Sequence, residues 1–104
     1  MRKILAIAAM LISAAASADD RLSFSGLKVV NTNGVSVVQG YARNTTNAQL
    51  NSMTVVFKLY DRSGNMVGNA IANGMGLGPN ENWKFSAQGN VAFDRAEVTS
   101  VQIF

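Results

Sequence analysis

The chain has 104 residues, with 9 Lys and Arg, 6 Asp and Glu, and neither His nor Cys. The absence of His and Cys excludes Ser-His-Asp and Cys-His catalysis, and zinc sites built on nitrogen or sulfur ligands. The formal net charge of +3 includes Arg2 and Lys3, which lie in a predicted leader. Without them the chain carries 7 basic residues against 6 acidic ones, scattered along the sequence. A nucleic-acid-binding protein would instead show a basic tract.

The N-terminus has the order of a secretory signal peptide. Two basic residues precede the apolar run Ile4–Ile12, and six small residues follow, ending in Ala16-x-Ala18. The run is shorter than the roughly 20 residues that span a bilayer. We therefore predict a signal peptide over residues 1–18, cleaved after Ala18, and export to the periplasm or the medium without stable membrane insertion. With no Cys in the chain, we expect no lipid anchor.

The remaining 86 of the 104 residues are enough for one domain, residues 19–104. They are rich in Val, Asn, Ser and Gly, and short apolar alternations are separated by turn residues. This pattern is typical of an all-β fold. We predict an antiparallel β-sandwich of about six or seven short strands, with neither linker nor internal repeat.

The first predicted elements form a hairpin. Alternation over Leu22–Ser25 and Leu27–Val30 is followed by Asn33-Gly34, the residue pair that a type I′ turn favours because both positions need positive φ. Val35–Ala42 is the predicted return strand. It ends at the polar cluster Asn44–Asn47.

The clearest predicted strand runs over Leu50–Tyr60 and ends at the turn Asp61–Gly64. Asp favours the first position of a type I turn, and Gly favours the fourth. The side chains of the strand alternate between two faces. We assign one face to the core and the other to solvent, namely Met53, Val55, Phe57 and Leu59 against Thr54, Val56, Lys58 and Tyr60.

Three further elements complete the predicted sandwich. Met66–Ala72 is predicted as a strand that pairs with Leu50–Tyr60. Gly74–Asn80 is predicted as a loop, because it contains three glycines and a proline. The two last predicted strands contain Trp83-Lys84-Phe85 and Val98–Phe104.

The string Phe57–Asp61, Phe-Lys-Leu-Tyr-Asp, resembles the motif that gives the FxLYD domain family its name. Gly40–Thr46 is similar to the family's strand ending, and Asp61–Gly64 to its Asp-x-x-Gly turn. Pro79-Asn80-Glu81 and Trp83-Lys84-Phe85 are similar to its Pro-Gly-Glu turn and apolar-x-Phe strand, with Asn80 in place of the usual Gly. The resemblance covers about residues 27–87.

The resemblance implies an immunoglobulin-like sandwich in an exported bacterial protein, and it implies no activity. The motif positions also have a structural explanation. Phe57 and Leu59 fill the core, Tyr60 packs at the strand end, and Asp61 with Gly64 shapes the turn. We therefore expect structural roles for the whole set Gly40, Asn44, Phe57, Leu59, Tyr60, Asp61 and Gly64.

No residue pattern indicates catalysis, a cofactor or a metal. A glycosidase needs two carboxylates facing each other across a cleft, and Asp61 and Glu81 already lie in predicted turns. Calcium needs clustered oxygen ligands, and Arg62 lies within the only segment that offers them. The glycines of Gly74–Gly78 precede a predicted strand, whereas a phosphate-binding loop precedes a helix. We predict that the protein is not an enzyme.

Two functions remain open from the sequence. The first is a non-enzymatic binding or accessory module of the bacterial cell envelope, which contacts another envelope protein through an exposed sheet edge or surface. Its predicted contact surface is Met75 with Leu77. The alternative is a periplasmic protein that binds a small molecule or a glycan through exposed aromatic side chains, for which the predicted residues are Tyr41, Tyr60 and Trp83.

Overall fold

A computed structural model describes Ile12–Ser13 and residues 20–104. The predicted signal peptide, residues 1–18, otherwise lies outside the described residues. The described part is all-β, and it contains no helix that is long and apolar enough to cross a membrane. Its strands are β1 (Ile12–Ser13), β2 (Leu22–Thr32), β3 (Val35–Asn44), β4 (Leu50–Tyr60), β5 (Met66–Leu77), β6 (Asn82–Gln88) and β7 (Arg95–Ile103).

The strands form two sheets with the orders β1-β7-β4-β5 and β2-β3-β6. Strands β2 to β7 pair antiparallel, while the two-residue β1 joins the edge of β7 in parallel. The two sheets share one hydrophobic core. This arrangement confirms the predicted all-β fold, with six antiparallel strands in a sandwich-like architecture.

The core lies between the inner faces of the two sheets, with β4 at the centre of its own sheet. The predicted inward set of β4, Met53, Val55, Phe57 and Leu59, is buried, which confirms that assignment. The ring of Phe57 stacks on that of Phe85 from β6 with centroids 5.8 Å apart, so one aromatic pair joins the two sheets. Full burial of such side chains stabilises the fold by about 1.5–3 kcal/mol each.

A β-bulge lets both ends of β7 contribute to the core. The register of β7 against β4 shifts between Val56 and Phe57, which leaves Thr99 without an opposing residue. Before the shift Ala96 and Val98 face inward, and after it Val101 and Ile103 pack against the core. An extra residue in one strand reverses the side-chain alternation. β7 begins at Arg95, three residues before the predicted start, because the residues before the bulge also pair with β4.

Both predicted tight turns are present. Asn33 and Gly34 have φ values of 54° and 81°, as a type I′ turn requires, and Thr32 pairs with Val35. In the second turn the N–H of Gly64 donates to the carbonyl of Asp61 at 3.0 Å. Gly64 itself has a φ of 87°.

The predicted loop over residues 74–80 was wrong for its first half. β5 continues to Leu77, because Gly74 and Met75 remain paired with Met53 and Ser52 of β4. Gly74 is needed there for space: a Cβ would lie 2.9 Å from two ring atoms of Trp83. A close approach to a neighbouring side chain, rather than a loop, thus accounts for a glycine in this strand.

Candidate partner-binding face

The outer face of the sheet β7-β4-β5 presents an exposed apolar row. Ser52 of β4 lies opposite Met75 of β5, and on its other side it exchanges backbone hydrogen bonds with Phe104 at 2.9 and 3.1 Å. Residues directly opposite one another point to the same side of a sheet. Met75 and Phe104 are 84% and 74% exposed, so they flank the small Ser52 on the solvent side.

A second apolar pair lies on the same face, four residues along each strand. Ile71 of β5 is 52% exposed and lies opposite the partly buried Val56 of β4. A polar pair separates the two rows, with the hydroxyl of Thr54 donating to Oδ1 of Asn73 at 2.8 Å. Adjacent strands are about 4.8 Å apart, so Met75 and Phe104 lie about 10 Å apart across Ser52. We call the surface of Met75, Ser52, Phe104, Ile71 and Val56 the Met75–Phe104 face.

Polar and charged groups border this face towards the other end of the sheet. Lys58 of β4 lies opposite Glu97 of β7. Two residues further along both strands, the guanidinium of Arg95 lies 4.2 Å from the ring centroid of Tyr60. An apolar centre beside a polar rim is the arrangement of protein–protein interfaces.

The structure separates the two residues of the predicted contact surface. Met75 is on the outer face, whereas Leu77 is only 5% exposed and packs in the core beside Leu50. The prediction of Leu77 as a contact residue is thereby corrected. Residues two apart in a strand normally share a face. The φ of Gly76, 69°, interrupts that alternation and turns Leu77 inward.

Asn44, one of the motif positions, connects three segments of the chain. Its side chain is fully buried, and its Nδ2 donates to the carbonyls of Ala48, Leu77 and Gly78 at 2.8, 3.0 and 3.0 Å. Its Oδ1 accepts from the N–H and the hydroxyl of Thr46 at 2.9 and 2.7 Å. The amide thus joins the end of β3 to the turn that follows it and to the end of β5.

Other motif positions have packing roles. A Cβ on Gly40 would lie 2.6 Å from Cδ2 of Leu27 and 3.2 Å from the ring of Phe85. Gly40 therefore lets β3 pass close beneath two core side chains. Phe57 and Leu59 are fully buried. None of these three positions reaches the solvent-exposed surface.

Asp61 holds its turn by accepting hydrogen bonds. Its Oδ1 accepts the N–H groups of Asn65 and Ser63, each at 2.9 Å. The hydrogen bond from the Asn65 backbone has the largest effect, and it lowers the pKa of the Asp61 carboxyl below its ordinary value of 3.8. Desolvation opposes this shift, while the Asn65 side chain and the N–H groups of Ser63 and Gly64 add to it. The ionised form thus stabilises the turn.

The three aromatic residues predicted for glycan binding lie in different environments. Trp83 packs against Phe85 with centroids 5.4 Å apart and covers Gly74, so it belongs largely to the core. Tyr60 is half-buried beneath Arg95. Tyr41 is 43% exposed on the outer face of β2-β3-β6. Only Tyr41 of the three presents an exposed ring beside an open groove of that sheet.

The carboxylates of the described residues are dispersed. Glu81 accepts the N–H of Gly78 at 2.7 Å, and Asp61 is engaged in its own turn. Residues 12–13 and 20–104 contain no cluster of three or more metal-ligating side chains. Comparison of the chain with protein-family models, curated proteins and solved structures found no match.

Proposed function

We propose that this chain is an exported, non-enzymatic binding module of the bacterial cell envelope, and that it contacts another envelope protein through the Met75–Phe104 face. The observation that carries the proposal is the outward row of Met75 and Phe104. They are the two most exposed large apolar side chains of the described residues. Large, exposed apolar side chains grouped on one face beside polar groups are typical of a site that another protein covers.

The energetics fit a specific but reversible contact. Burying the side chains of Met75, Phe104 and Ile71 stabilises a complex by about 1.5–3 kcal/mol each before the costs of association are subtracted. Met adapts its shape to different partner surfaces because its side chain is unbranched and polarizable. Ser52 leaves room between the two large side chains for an apolar group of the partner.

Export is supported by the signal layout, and it has a consequence for the sheet edge. In the described residues β1 pairs with Ala96 and Glu97 at the edge of β7. Cleavage after Ala18 removes β1 and leaves this edge open to an extended segment of the partner. The edge and the Met75–Phe104 face belong to the same sheet, so one partner can use both.

We further infer an immunoglobulin-like sandwich of the FxLYD type. The support is positional. Asn44, Gly40 and Asp61 each occupy a place where their particular chemistry stabilises the fold, as the resemblance implies. Gly40 and Asn44 lie in β3 and Asp61 lies in the turn after β4, two of the segments that carry the motif.

The test is crosslinked affinity capture of the tagged protein from its own envelope, comparing wild type with Met75→Asp. Met66→Asp is the matched control, because Met66 is also exposed and lies nine residues away on the same strand, about 30 Å. We expect one protein to be enriched with wild type and Met66→Asp and lost with Met75→Asp, at equal melting temperatures. Retention of that protein by Met75→Asp would overturn the proposed face.

A further inference from the structure

The outer face of the sheet β2-β3-β6 is cationic. The three strands contain Lys28, Arg43 and Lys84 and no Asp or Glu. All three cations are exposed. The register places Lys84 opposite Tyr41, and Lys28 opposite Gln39, two residues along β3 from Tyr41. Arg43 follows Tyr41 by two residues on the other side, so the cations surround one exposed aromatic ring.

A β-bulge creates a groove beside that ring. β2 shifts its register against β3 between Ser25 and Lys28, and Gly26 within the bulge has a φ of 61°. A Cβ on Gly26 would lie 3.3 Å from Cδ2 of Tyr41, so the ring lies against the bulge. The groove has a volume of about 350 Å³, and its lining includes Gly26, Lys28, Gln39, Tyr41 and Lys84.

No carboxylate of these strands balances the charge of the groove. Asp61, Asp94 and Glu97 belong to the other sheet or its connections, and Glu81 is bonded to Gly78. Asp20 precedes β2, and its carbonyl accepts the hydroxyl of Thr45 beyond the end of β3. Like charges on one face repel one another, and an anion placed among them relieves that repulsion. The charge of the face therefore favours an anionic ligand.

The position of Tyr41 indicates what kind of anion fits. β3 is the central strand, paired with β2 and β6 on its two sides, so its backbone is not free to pair with an added peptide strand. Recognition must use the side chains of Tyr41, Gln39 and the lysines. A sugar ring can lie on an aromatic face, its hydroxyl groups can bond to an amide, and a carboxylate on the sugar can pair with an ammonium group.

We propose that this groove binds an acidic oligosaccharide, with a hexuronate ring against Tyr41, a hydroxyl group at Gln39 and carboxylates at Lys84 and Lys28. The site lies on the sheet opposite the Met75–Phe104 face. It is thus a second binding surface, which holds whether or not the proposed protein contact exists.

The test is a calorimetric and NMR titration of the protein, expressed from its full sequence and purified as the cell processes it. The probe is trigalacturonate, and its methyl ester provides the same rings without the charge. We expect saturable binding of the acid, at least tenfold weaker binding of the ester, and weakening by added salt because exposed charges are screened. The largest amide shifts should lie around Tyr41 and Lys84.

Variants separate the roles of ring and charge. Tyr41→Ala and Lys84→Gln should each weaken binding about fivefold or more, a loss of about 1 kcal/mol. Tyr41→Phe should retain binding, because the ring remains. Lys58→Gln, on the opposite sheet, is the charge-matched control and should change the affinity less than about twofold. Melting temperatures show that each variant is folded.

Four results would overturn the proposal: no saturable binding of the acid, equal affinity for the ester, equal loss in Lys58→Gln, or binding unaffected by Tyr41→Ala. A triglutamate peptide is the last probe. Equal affinity for that peptide would assign the groove to an acidic polypeptide and contradict the choice of a sugar. Met75→Asp should leave sugar binding unchanged, so this site and the partner face are tested independently.

Discussion

Replacement of Asn44 by Ala should destabilise the protein more than any loss of a surface amide. The variant loses the donors to three backbone carbonyls and the acceptor for Thr46. The carbonyl of Leu77 then lacks this partner in a buried site, whereas those of Ala48 and Gly78 are partly within reach of water. We therefore expect most of the lost stability to come from the buried carbonyl of Leu77.

The magnitude follows from the bonds. A typical hydrogen bond contributes about 1 kcal/mol net, and a buried carbonyl without a partner costs a further 1–3 kcal/mol. We estimate a loss of about 3–5 kcal/mol for Asn44→Ala, out of a total stability of about 5–15 kcal/mol. For a domain of this size, that corresponds to a melting temperature lower by about 15–30 °C.

The assay is thermal and urea unfolding followed by circular dichroism. Asn44→Asp retains the shape and the acceptor for Thr46 but cannot donate to the three carbonyls, so it should be at least as unstable as Asn44→Ala. Asn73→Ala is the control, because Asn73 makes one exposed hydrogen bond and should cost less than about 1 kcal/mol. If Asn44→Ala melts within about 4 °C of Asn73→Ala, the proposed role of the buried amide is wrong.

Gly74→Ala should lower the free energy of unfolding by about 1–3 kcal/mol, because the new methyl group displaces the indole of Trp83. The fluorescence of Trp83 should shift to the red, and an unchanged emission maximum would contradict the packing of Trp83 against Gly74. The lowered pKa of Asp61 means that its stabilising effect is complete above the ordinary value of 3.8 and is lost as the pH falls through the lower folded value. Asp61→Asn should therefore flatten the acid side of the stability curve, and an unchanged curve would refute the assignment. Intact mass of the exported protein should show a chain that begins at Asp19, and a mass that retains Ala18 or any residue before it would contradict the predicted cleavage.

The fold was predictable where the alternation of apolar residues and the conformational preferences of turn residues indicate the same structure. From Met53 to Tyr60 the side chains of β4 alternate between buried and partly exposed, so the buried face of this strand followed from the sequence, as did its bounds. Asn33-Gly34 and Asp61–Gly64 specify their turns through backbone preferences that do not depend on the rest of the chain. β5 was predicted too short because glycines such as Gly74 and Gly76 are more typical of loops than of strands. Their reason for being in a strand is the packing of Trp83 and the inward turn of Leu77.

The two candidate surfaces depend on the register between paired strands, which could not be predicted from the sequence. Met75 and Phe104 are 29 positions apart in the chain, and they share a row only because both lie opposite Ser52. Lys28 faces outward with Tyr41 only because the bulge at Gly26 shifts the alternation of β2 by one residue. A one-residue shift of register exchanges the two faces of a strand, so neither surface follows from periodicity alone.

The most direct test of the proposed function is site-specific photocrosslinking in living cells, with a photoreactive amino acid at Met75 or Phe104 and, as controls, at Met66 or Ser86. The proposed function predicts one discrete adduct of the same protein from Met75 and from Phe104, and none from Met66 or from Ser86 on the opposite sheet. Absence of an adduct at Met75, equal adducts from the control positions, or an adduct made only of two copies of this chain would contradict it.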